Sequence, residues 1–191
     1  HPATRAELAG ITGSEVYESF GMTETLTHFA LKRINGPQAQ TYFSLLKGTR
    51  IGLDSRGCLE VEVNGITSAT LVTNDMVEIN DAGDGFTWLG RYDNLINSGG
   101  IKIIPELLEE QVREVIGHEC LVLSEPDRKL GMKLVLLVEY EGSEAPVGLW
   151  LELLRSRLSS YEIPRRVVCV QQLPRNPSMK PDRTSAQSLL L

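Results

Sequence analysis

The sequence predicts an α+β protein whose first half is rich in β-strands and whose second half mixes strands with helices. In the first half, short runs of alternating apolar and polar residues are separated by turn signals, which is typical of a small β-barrel-like domain or a curled antiparallel sheet. In the second half, strand-like runs alternate with helical periodicity over residues 94–191. We therefore place a domain boundary near residues 90–93, with parts 1–92 and 93–191.

The strands of the first half are predicted from alternation and from close turns. Cys58–Val63 alternates apolar and acidic residues, as a half-buried strand does, and Asn64 and Gly65 follow as a turn. Further short strands are expected at residues 69–72, 76–79 and 86–89.

The second half is predicted to contain two longer helices, several strands and a short final helix. Pro105 begins a pattern in which Leu108, Val112 and Ile116 share a face, and glutamates occupy the first turns, where the helix dipole favours negative charge. The second helix is predicted from one apolar face, formed by Leu149, Trp150, Leu153, Leu154 and Leu158. Strands are expected at residues 120–123, 133–140 and 166–170, and the short helix after residue 181.

Composition excludes several classes of protein. The net charge of −6 argues against wholesale binding to nucleic acid or to an anionic membrane. No apolar run approaches the ~20 residues of a membrane helix, so membrane insertion is not expected. Cys58, Cys120 and Cys169 form no CxxC pair, which predicts reduced thiols in a cytoplasmic protein rather than zinc ligands or disulfides. The sequence leaves open whether the chain forms a homo-oligomer.

Residues 17–25 are the first of four segments with more polar and glycine residues than packing requires. Phe20 offers a ring for stacking, and Gly21 allows a tight turn. The hydroxyl of Thr23 can donate to a phosphate oxygen, while the carboxylate of Glu24 suits a Mg²⁺ ion that bridges phosphates. Taken alone, the segment more often describes a helix start with a capping hydroxyl.

The second and third segments contain acidic residues, an arginine and a glycine pair. Asp75, between two strand-like runs, is either a turn former or a carboxylate that accepts ribose hydroxyls. Arg91 and Asp93 flank the proposed boundary. Gly99 and Gly100 interrupt an apolar segment, which indicates either a sharp hairpin turn or the close approach of a ligand.

The fourth segment contains Lys180, which Pro177 and Pro181 hold on a stiff loop. A lysine on such a loop can place a positive charge in a binding site, although most single lysines are simply exposed on the surface. Each of the four segments taken singly favours the structural alternative, and only their order and spacing favour a functional one.

Together the segments resemble the adenylate-forming superfamily, which includes acyl-CoA ligases, adenylation domains of peptide synthetases and luciferases. The resemblance extends from about residue 17 to residue 183 and rests on five ordered motifs: Phe20-Gly-Met-Thr-Glu24, Thr73-Asn-Asp75, Gly90-Arg-Tyr-Asp93, Leu158-Ser-Ser-Tyr-Glu-Ile-Pro164 and Pro174-Arg-Asn-Pro-Ser-Met-Lys-Pro-Asp-Arg183. The chain departs from the family's motifs in four places. Asn74, Asn176 and Met179 replace Gly, Thr and Gly, and the first glutamate of the family's Pro-x-Glu-Ile-Glu is missing at residues 105–109.

The resemblance implies a reaction in two steps. A carboxylic acid attacks the α-phosphate of ATP to give an acyl-adenylate and release pyrophosphate, and the thiol of coenzyme A then displaces AMP to form the thioester. By position, Phe20 would stack on adenine within the motif that includes Gly21, Thr23 would bind phosphate, and Glu24 would hold Mg²⁺. Asp75 and Arg91 would hold the ribose hydroxyls.

The resemblance also assigns roles to the second half, which would be a mobile lid. Asp93 would be the hinge, and Lys180 would bridge the substrate carboxylate and the α-phosphate during adenylation, where a cation offsets the repulsion of two anions. After rotation of the lid, Gly99 and Gly100 would leave room for the pantetheine arm of coenzyme A.

Two expectations concern the whole enzyme. Nothing in residues 1–16 resembles the family's phosphate loop, so the chain is expected to be a truncated or proteolysed remnant that does not turn over efficiently alone. Residues 90–100 are similar to those of 2-succinylbenzoate–CoA ligases of menaquinone synthesis, which makes that acid the favoured substrate. The alternatives are another acyl- or aryl-CoA ligase, or a non-catalytic nucleotide-binding module on the same fold.

Overall fold

A computed structural model describes residues 7–190, and the chain divides into two compact units, His1–Tyr92 and Asp93–Leu191. Each unit has its own sheet and its own buried apolar residues, which agrees with the predicted α+β class. None of the helices within residues 7–190 is long and apolar enough to cross a membrane.

The first unit is built on a seven-stranded antiparallel sheet. Its strands are β1 (Tyr17–Gly21), β2 (His28–Arg33), β3 (Phe43–Leu45), β4 (Thr49–Leu53), β5 (Cys58–Val63), β6 (Leu71–Ile79) and β7 (Gly85–Arg91). They lie in the order β1-β2-β3-β7-β6-β5-β4. Within the described residues β1 and β4 are the two edges and do not pair, so the sheet is open. Of the two predicted alternatives, the structure has the curled antiparallel sheet and not a closed barrel.

The open sheet is nevertheless curled, because all four phenylalanines of the sequence meet on one face. In a flat sheet β1 and β7 would lie roughly 14 Å apart, three strand spacings. The ring centroids of Phe20 on β1 and Phe86 on β7 are only 5.2 Å apart. Phe29 and Phe43 complete the cluster from the two strands between. Burial of these rings therefore bends the sheet around its own core.

A β-bulge interrupts the pairing of β6 with β7. The sequence predicted separate strands at 69–72 and 76–79, but the structure has the single strand β6, with Asp75 in its interior. Asp75 pairs with Arg91, Met76 with Gly90, and Val77 with Trp88, so one residue of β7 is left over. Paired residues of an antiparallel sheet share a face, and the bulge therefore brings Trp88 to the face that carries Asp75 and Arg91.

The second unit packs three helices on a five-stranded sheet. Its elements are β8 (Ile96–Ser98), β9 (Ile101–Ile103), α1 (Pro105–Ile116), β10 (Cys120–Asp127), β11 (Gly131–Glu139), α2 (Val147–Arg155), β12 (Arg166–Val170) and α3 (Arg183–Ser188). Strands β10, β11, β8 and β9 are neighbours in that order, and β12 pairs with β11 in parallel. The predicted helices and strands are all present, with β10 longer than expected.

Helix α2 buries a narrower face than its sequence predicted. Trp150 and Leu154 are buried, and so is Leu158 just beyond the helix end. Leu149 and Leu153 are instead 55% and 40% exposed, so their place on the buried face is wrong. Helix α2 contacts α1, and Trp150 and Leu154, four residues apart on one row, join the same core cluster as α1. Successive helix positions are ~100° apart, so Leu149 and Leu153 lie on the neighbouring row, which stays exposed.

A buried ion pair attaches α3 to the rest of the second unit. The Oε1 atom of Glu109, on α1, accepts a hydrogen bond from the amide of Val122 at 2.7 Å and lies 2.8 Å from Nη2 of Arg183. Arg183 also donates through Nη1 to the carbonyl of Val122 at 3.1 Å. Burial raises the pKa of Glu109 to about 7, although Arg183 and the Val122 amide act in the opposite direction.

A tight loop before α3 carries Lys180 at its exposed tip. The side-chain oxygen of Asn176 accepts hydrogen bonds from the amides of Ser178 and Lys180, both at 3.0 Å. The amide of Asn176 donates in turn to the carbonyl of Lys180 at 2.8 Å. Met179 has a left-handed backbone with φ of 60°, a conformation that glycine adopts at lower cost. Asn176 and the left-handed turn therefore fix the shape of this loop.

We expect Glu109→Gln to remove part of the pH dependence of folding. A carboxyl whose pKa rises from 4.5 to about 7 on folding binds a proton in the native state that the unfolded state has lost. The free energy of unfolding should therefore fall by up to about 3 kcal/mol as the pH rises from about 4.5 to 7. Glu109→Gln should flatten that slope in urea unfolding followed by fluorescence of the buried Trp150.

The exposed neighbour Glu110 provides the matched control for this measurement. Glu110→Gln should keep the wild-type slope between pH 5 and 8. Equal slopes in wild type and Glu109→Gln would contradict the assignment of this pH dependence to Glu109.

We expect Met179→Gly to stabilise the chain by about 0.5 kcal/mol, because relief of the left-handed backbone exceeds the added entropy of the unfolded state. The side chain of Met179 is 68% exposed, so little burial is lost. Ser178→Gly is the control: its backbone is not left-handed, and the substitution should destabilise by a similar amount. Thermal unfolding that ranks the two variants in the opposite order would exclude strain at Met179.

Candidate functional site

Asp75 and Arg91, the two residues predicted to hold ribose, lie opposite each other on β6 and β7. The Nη1 atom of Arg91 is 3.7 Å from Oδ2 of Asp75. The other carboxylate oxygen, Oδ1, accepts a hydrogen bond of 3.0 Å from the indole nitrogen of Trp88. The Asp75 side chain is only 14% exposed, whereas that of Arg91 is 45% exposed. This arrangement gives a fixed carboxylate beside a more accessible guanidinium.

Arg56 stabilises the backbone next to Asp75, and sequence analysis did not identify it. Its guanidinium donates to the carbonyl of Thr73 at 2.9 Å and to the side-chain oxygen of Asn74 at 2.8 Å. It also lies 5.0 Å from the ring centroid of Tyr92. Asn74 stands where the family has glycine, and its amide oxygen is the atom that Arg56 binds. The sequence carries no signal for this contact, because the partners lie 17 and more residues away.

Asp54 holds Arg56 in this position from the turn between β4 and β5. Its Oδ2 accepts a hydrogen bond of 2.8 Å from Nε of Arg56, and its Oδ1 accepts from the amides of Arg56 and Cys58. These donors, led by the Cys58 amide, hold the pKa of Asp54 below its usual range. Asp54 thus stays ionised and fixes the guanidinium that contacts the segment before Asp75.

Residues 20–25 form the end of β1 and a short 3₁₀ helix at residues 23–25. Gly21 is required by close packing, since a Cβ there would lie 2.7 Å from the Cα of His28. Thr23 and Glu24 are both exposed. The hydroxyl that caps this turn belongs to Thr25, which accepts from the amide of Met22 at 3.1 Å. The side chains of Thr23 and Glu24 are therefore not the caps of this turn.

The ring of Phe20 belongs to the four-phenylalanine cluster of the first unit. In sheet order, β2 and β3 separate its strand from β7, where Arg91 lies. Stacking of Phe20 on adenine stays a prediction, as do the roles of Thr23 and Glu24. Among residues 7–190 no group of three or more His, Cys, Asp or Glu side chains could hold a metal ion. One exposed carboxylate at Glu24 fits a Mg²⁺ ion held mainly by phosphate oxygens and water.

Gly99 and Gly100 form the turn between β8 and β9 in the second unit. Their φ angles of 60° and 85° suit a two-residue hairpin, so turn geometry alone accounts for this glycine pair. Both are exposed, and contact with a thiol arm stays a prediction. A pocket of about 240 Å³ opens beside Gly99, and it is also lined by Ser98, Ile101, Leu130, Leu134, Ser160, Tyr161, Ile163 and Arg165.

Asp93, the predicted hinge, is the first residue of the second unit. The residue before it, Tyr92, packs under Arg56 in the first unit. The residue after it, Asn94, donates to Oε1 of Glu106 at 2.5 Å in the second unit. Each neighbour of Asp93 is thus held by its own unit, which is the arrangement expected of a hinge, although the motion itself stays a prediction.

No protein-family profile matches the chain. It is 32% identical over 125 residues to a medium/long-chain-fatty-acid–CoA/3-oxocholest-4-en-26-oate–CoA ligase of Mycolicibacterium smegmatis. The match covers 63% of this chain and 22% of that ligase. The chain thus spans about a fifth of the length of this curated relative.

Solved structures match nearly the whole chain. An acyl-CoA synthetase (AMP-forming)/AMP-acid ligase II-like protein of Dyadobacter fermentans is 37% identical, with a TM-score of 0.50, over 99% of this chain and 55% of the other. The o-succinylbenzoate CoA synthetase of Bacillus subtilis is 21% identical, with a TM-score of 0.76, over 97% of this chain and 43% of the other. At 21% identity that likeness is one of fold. The chain is therefore similar, over part of their length, to acyl-CoA ligases of the AMP-forming type.

Proposed function

We propose that this chain belongs to an enzyme that activates a carboxylic acid with ATP and transfers the acyl group to coenzyme A. The observation that carries the proposal is the pairing of Asp75 with Arg91 on adjacent strands. A carboxylate with little exposed surface, such as that of Asp75, can accept the two hydroxyls of a ribose, and the more exposed guanidinium of Arg91 beside it is suited to polar groups of a nucleotide. On this proposal Asp75 and Arg91 hold the nucleotide through both steps.

In the proposed first step Lys180 offsets the repulsion between the acid's carboxylate and the α-phosphate. The loop supports this role because its internal hydrogen bonds limit the positions open to the lysine backbone. The ammonium group is exposed at the tip and can therefore enter a site. A cation that meets charge developing in the transition state commonly contributes about 10²–10³ in rate.

The metal and the thiol complete the proposed reaction. Thr23 would donate to a phosphate oxygen and Glu24 would bind Mg²⁺, which supplies positive charge against the phosphates when bound. In the second step the thiol arm would pass along the exposed Gly99–Gly100 turn, with Asp93 as the hinge between the two steps. A cytoplasmic location, where ATP and reduced thiols are abundant, belongs to the same proposal.

Two classes of acid are candidate substrates. The run of residues 90–100 favours 2-succinylbenzoate, the acid of the menaquinone pathway. The names of the mycobacterial relative favour a fatty or steroid acid. We retain 2-succinylbenzoate as the substrate to test first. Thioester formation by the full-length gene product should be measured with 2-succinylbenzoate, a fatty acid and a steroid acid. One of the three should react at least tenfold faster than the other two.

We expect Lys180→Ala to lower ATP–pyrophosphate exchange by about 10²–10³ while thioester formation from supplied acyl-adenylate and coenzyme A stays near wild type. The reason is that the lysine charge is needed only while the carboxylate and the phosphate meet. Both half-reactions are measured on the full-length product of the gene that encodes this chain.

Lys47→Ala is the matched control, since Lys47 is also exposed in a turn but lies outside every predicted segment. It should leave both half-reactions unchanged. Equal loss of the two half-reactions in Lys180→Ala would contradict the assigned role. Nucleotide binding without acid-dependent exchange in the wild type would favour the non-catalytic module instead.

A further inference from the structure

The Asp75 carboxylate has a fixed partner from within the first unit. The indole nitrogen of Trp88 donates to its Oδ1 at 3.0 Å, while Oδ2 faces Arg91 at the longer distance of 3.7 Å. The indole ring is itself held, because Trp88 packs against the buried cluster that contains Val77 and Phe86. The contact of Asp75 with Trp88 is therefore both shorter and more rigid than its contact with Arg91.

The β-bulge of β7 makes this contact available. Without the extra residue, Trp88 would pair with Glu78 and lie on the opposite face of the sheet from Asp75. With it, Trp88 pairs with Val77 and shares the face of Asp75 and Arg91. The backbone of β6 is fixed at the same point, where Arg56 binds Thr73 and Asn74.

The hydrogen bond leaves the carboxylate able to bind hydroxyls. A carboxylate has about four acceptor positions, and the indole N–H occupies one of them. A single donor at Oδ1 limits rotation of the carboxylate group, so the remaining positions keep one orientation before a ligand arrives. A ligand then loses less free energy to ordering the site.

We propose that Trp88 is a positioning residue for ribose recognition: its indole N–H orients Asp75 to accept the hydroxyls of a nucleotide ribose. The inference rests on the proposed function, because it assumes that Asp75 binds a ribose. Trp88 lies outside the five motifs that carry the family resemblance.

Trp88→Phe tests the proposal, because phenylalanine keeps an aromatic ring and removes the N–H. Binding of AMP and of 2′,3′-dideoxy-AMP is measured by calorimetry on the full-length gene product. Wild type should prefer AMP by about tenfold, and Trp88→Phe should reduce that preference to about twofold. Affinity for the dideoxy nucleotide should stay within about twofold of wild type, since it makes no hydroxyl contact to lose.

The control variant is Trp150→Phe, which changes the other tryptophan, buried in the second unit. It should keep the wild-type preference. A merely structural effect of Trp88→Phe would weaken both nucleotides equally and would overturn the proposal, as would a preference unchanged from wild type. If wild type binds neither nucleotide, the proposed function fails and the inference fails with it.

A second measurement needs no change at Trp88, in case Trp88→Phe does not fold. The indole N–H resonance of Trp88 in ¹⁵N-labelled wild type should shift when AMP is added and stay in place with the dideoxy nucleotide. The Trp150 resonance is the internal reference. Identical responses of the Trp88 resonance to the two nucleotides would overturn the proposal independently of any variant.

Discussion

The one-residue bulge between β6 and β7 is the constraint on which the candidate site of the first unit depends. Side chains of a strand alternate between faces, so one extra residue changes the face of every residue beyond it. Here the bulge places Asp75, Arg91 and Trp88 on the same face of the sheet as the apolar residues around Phe86. The same strand pair thus supplies both core and site.

In the second unit a different interaction fixes the start of α3, which follows the loop that carries Lys180. Glu109 is buried and pairs with Arg183, whose side chain is 20% exposed, and both contact Val122 on β10. Burying such a pair costs desolvation free energy, which the raised pKa of Glu109 reflects. The arrangement nevertheless specifies where α3 begins, two residues after the loop that carries Lys180 ends at Pro181.

Much of the fold could be predicted from sequence because its signals are local. The alternation in β5 and the Pro105 start of α1 gave elements that agree with the structure. The apolar face of α2 was predicted too wide, because periodicity does not reveal how much of a helix its neighbours cover. Local sequence signals also do not determine whether the first sheet is open or closed, because closure depends on whether its edge strands pair.

The sequence by itself determined the order of the chemical segments, the residue types at Asp75, Arg91 and Lys180, and the resemblance that gives them roles. Only the tertiary structure decided which side chains support them. Trp88 and Arg56 reach Asp75 and its neighbours through strand register and a turn more than a dozen residues distant. Register is set by packing of the whole sheet on its core, and no local pattern of residues encodes it.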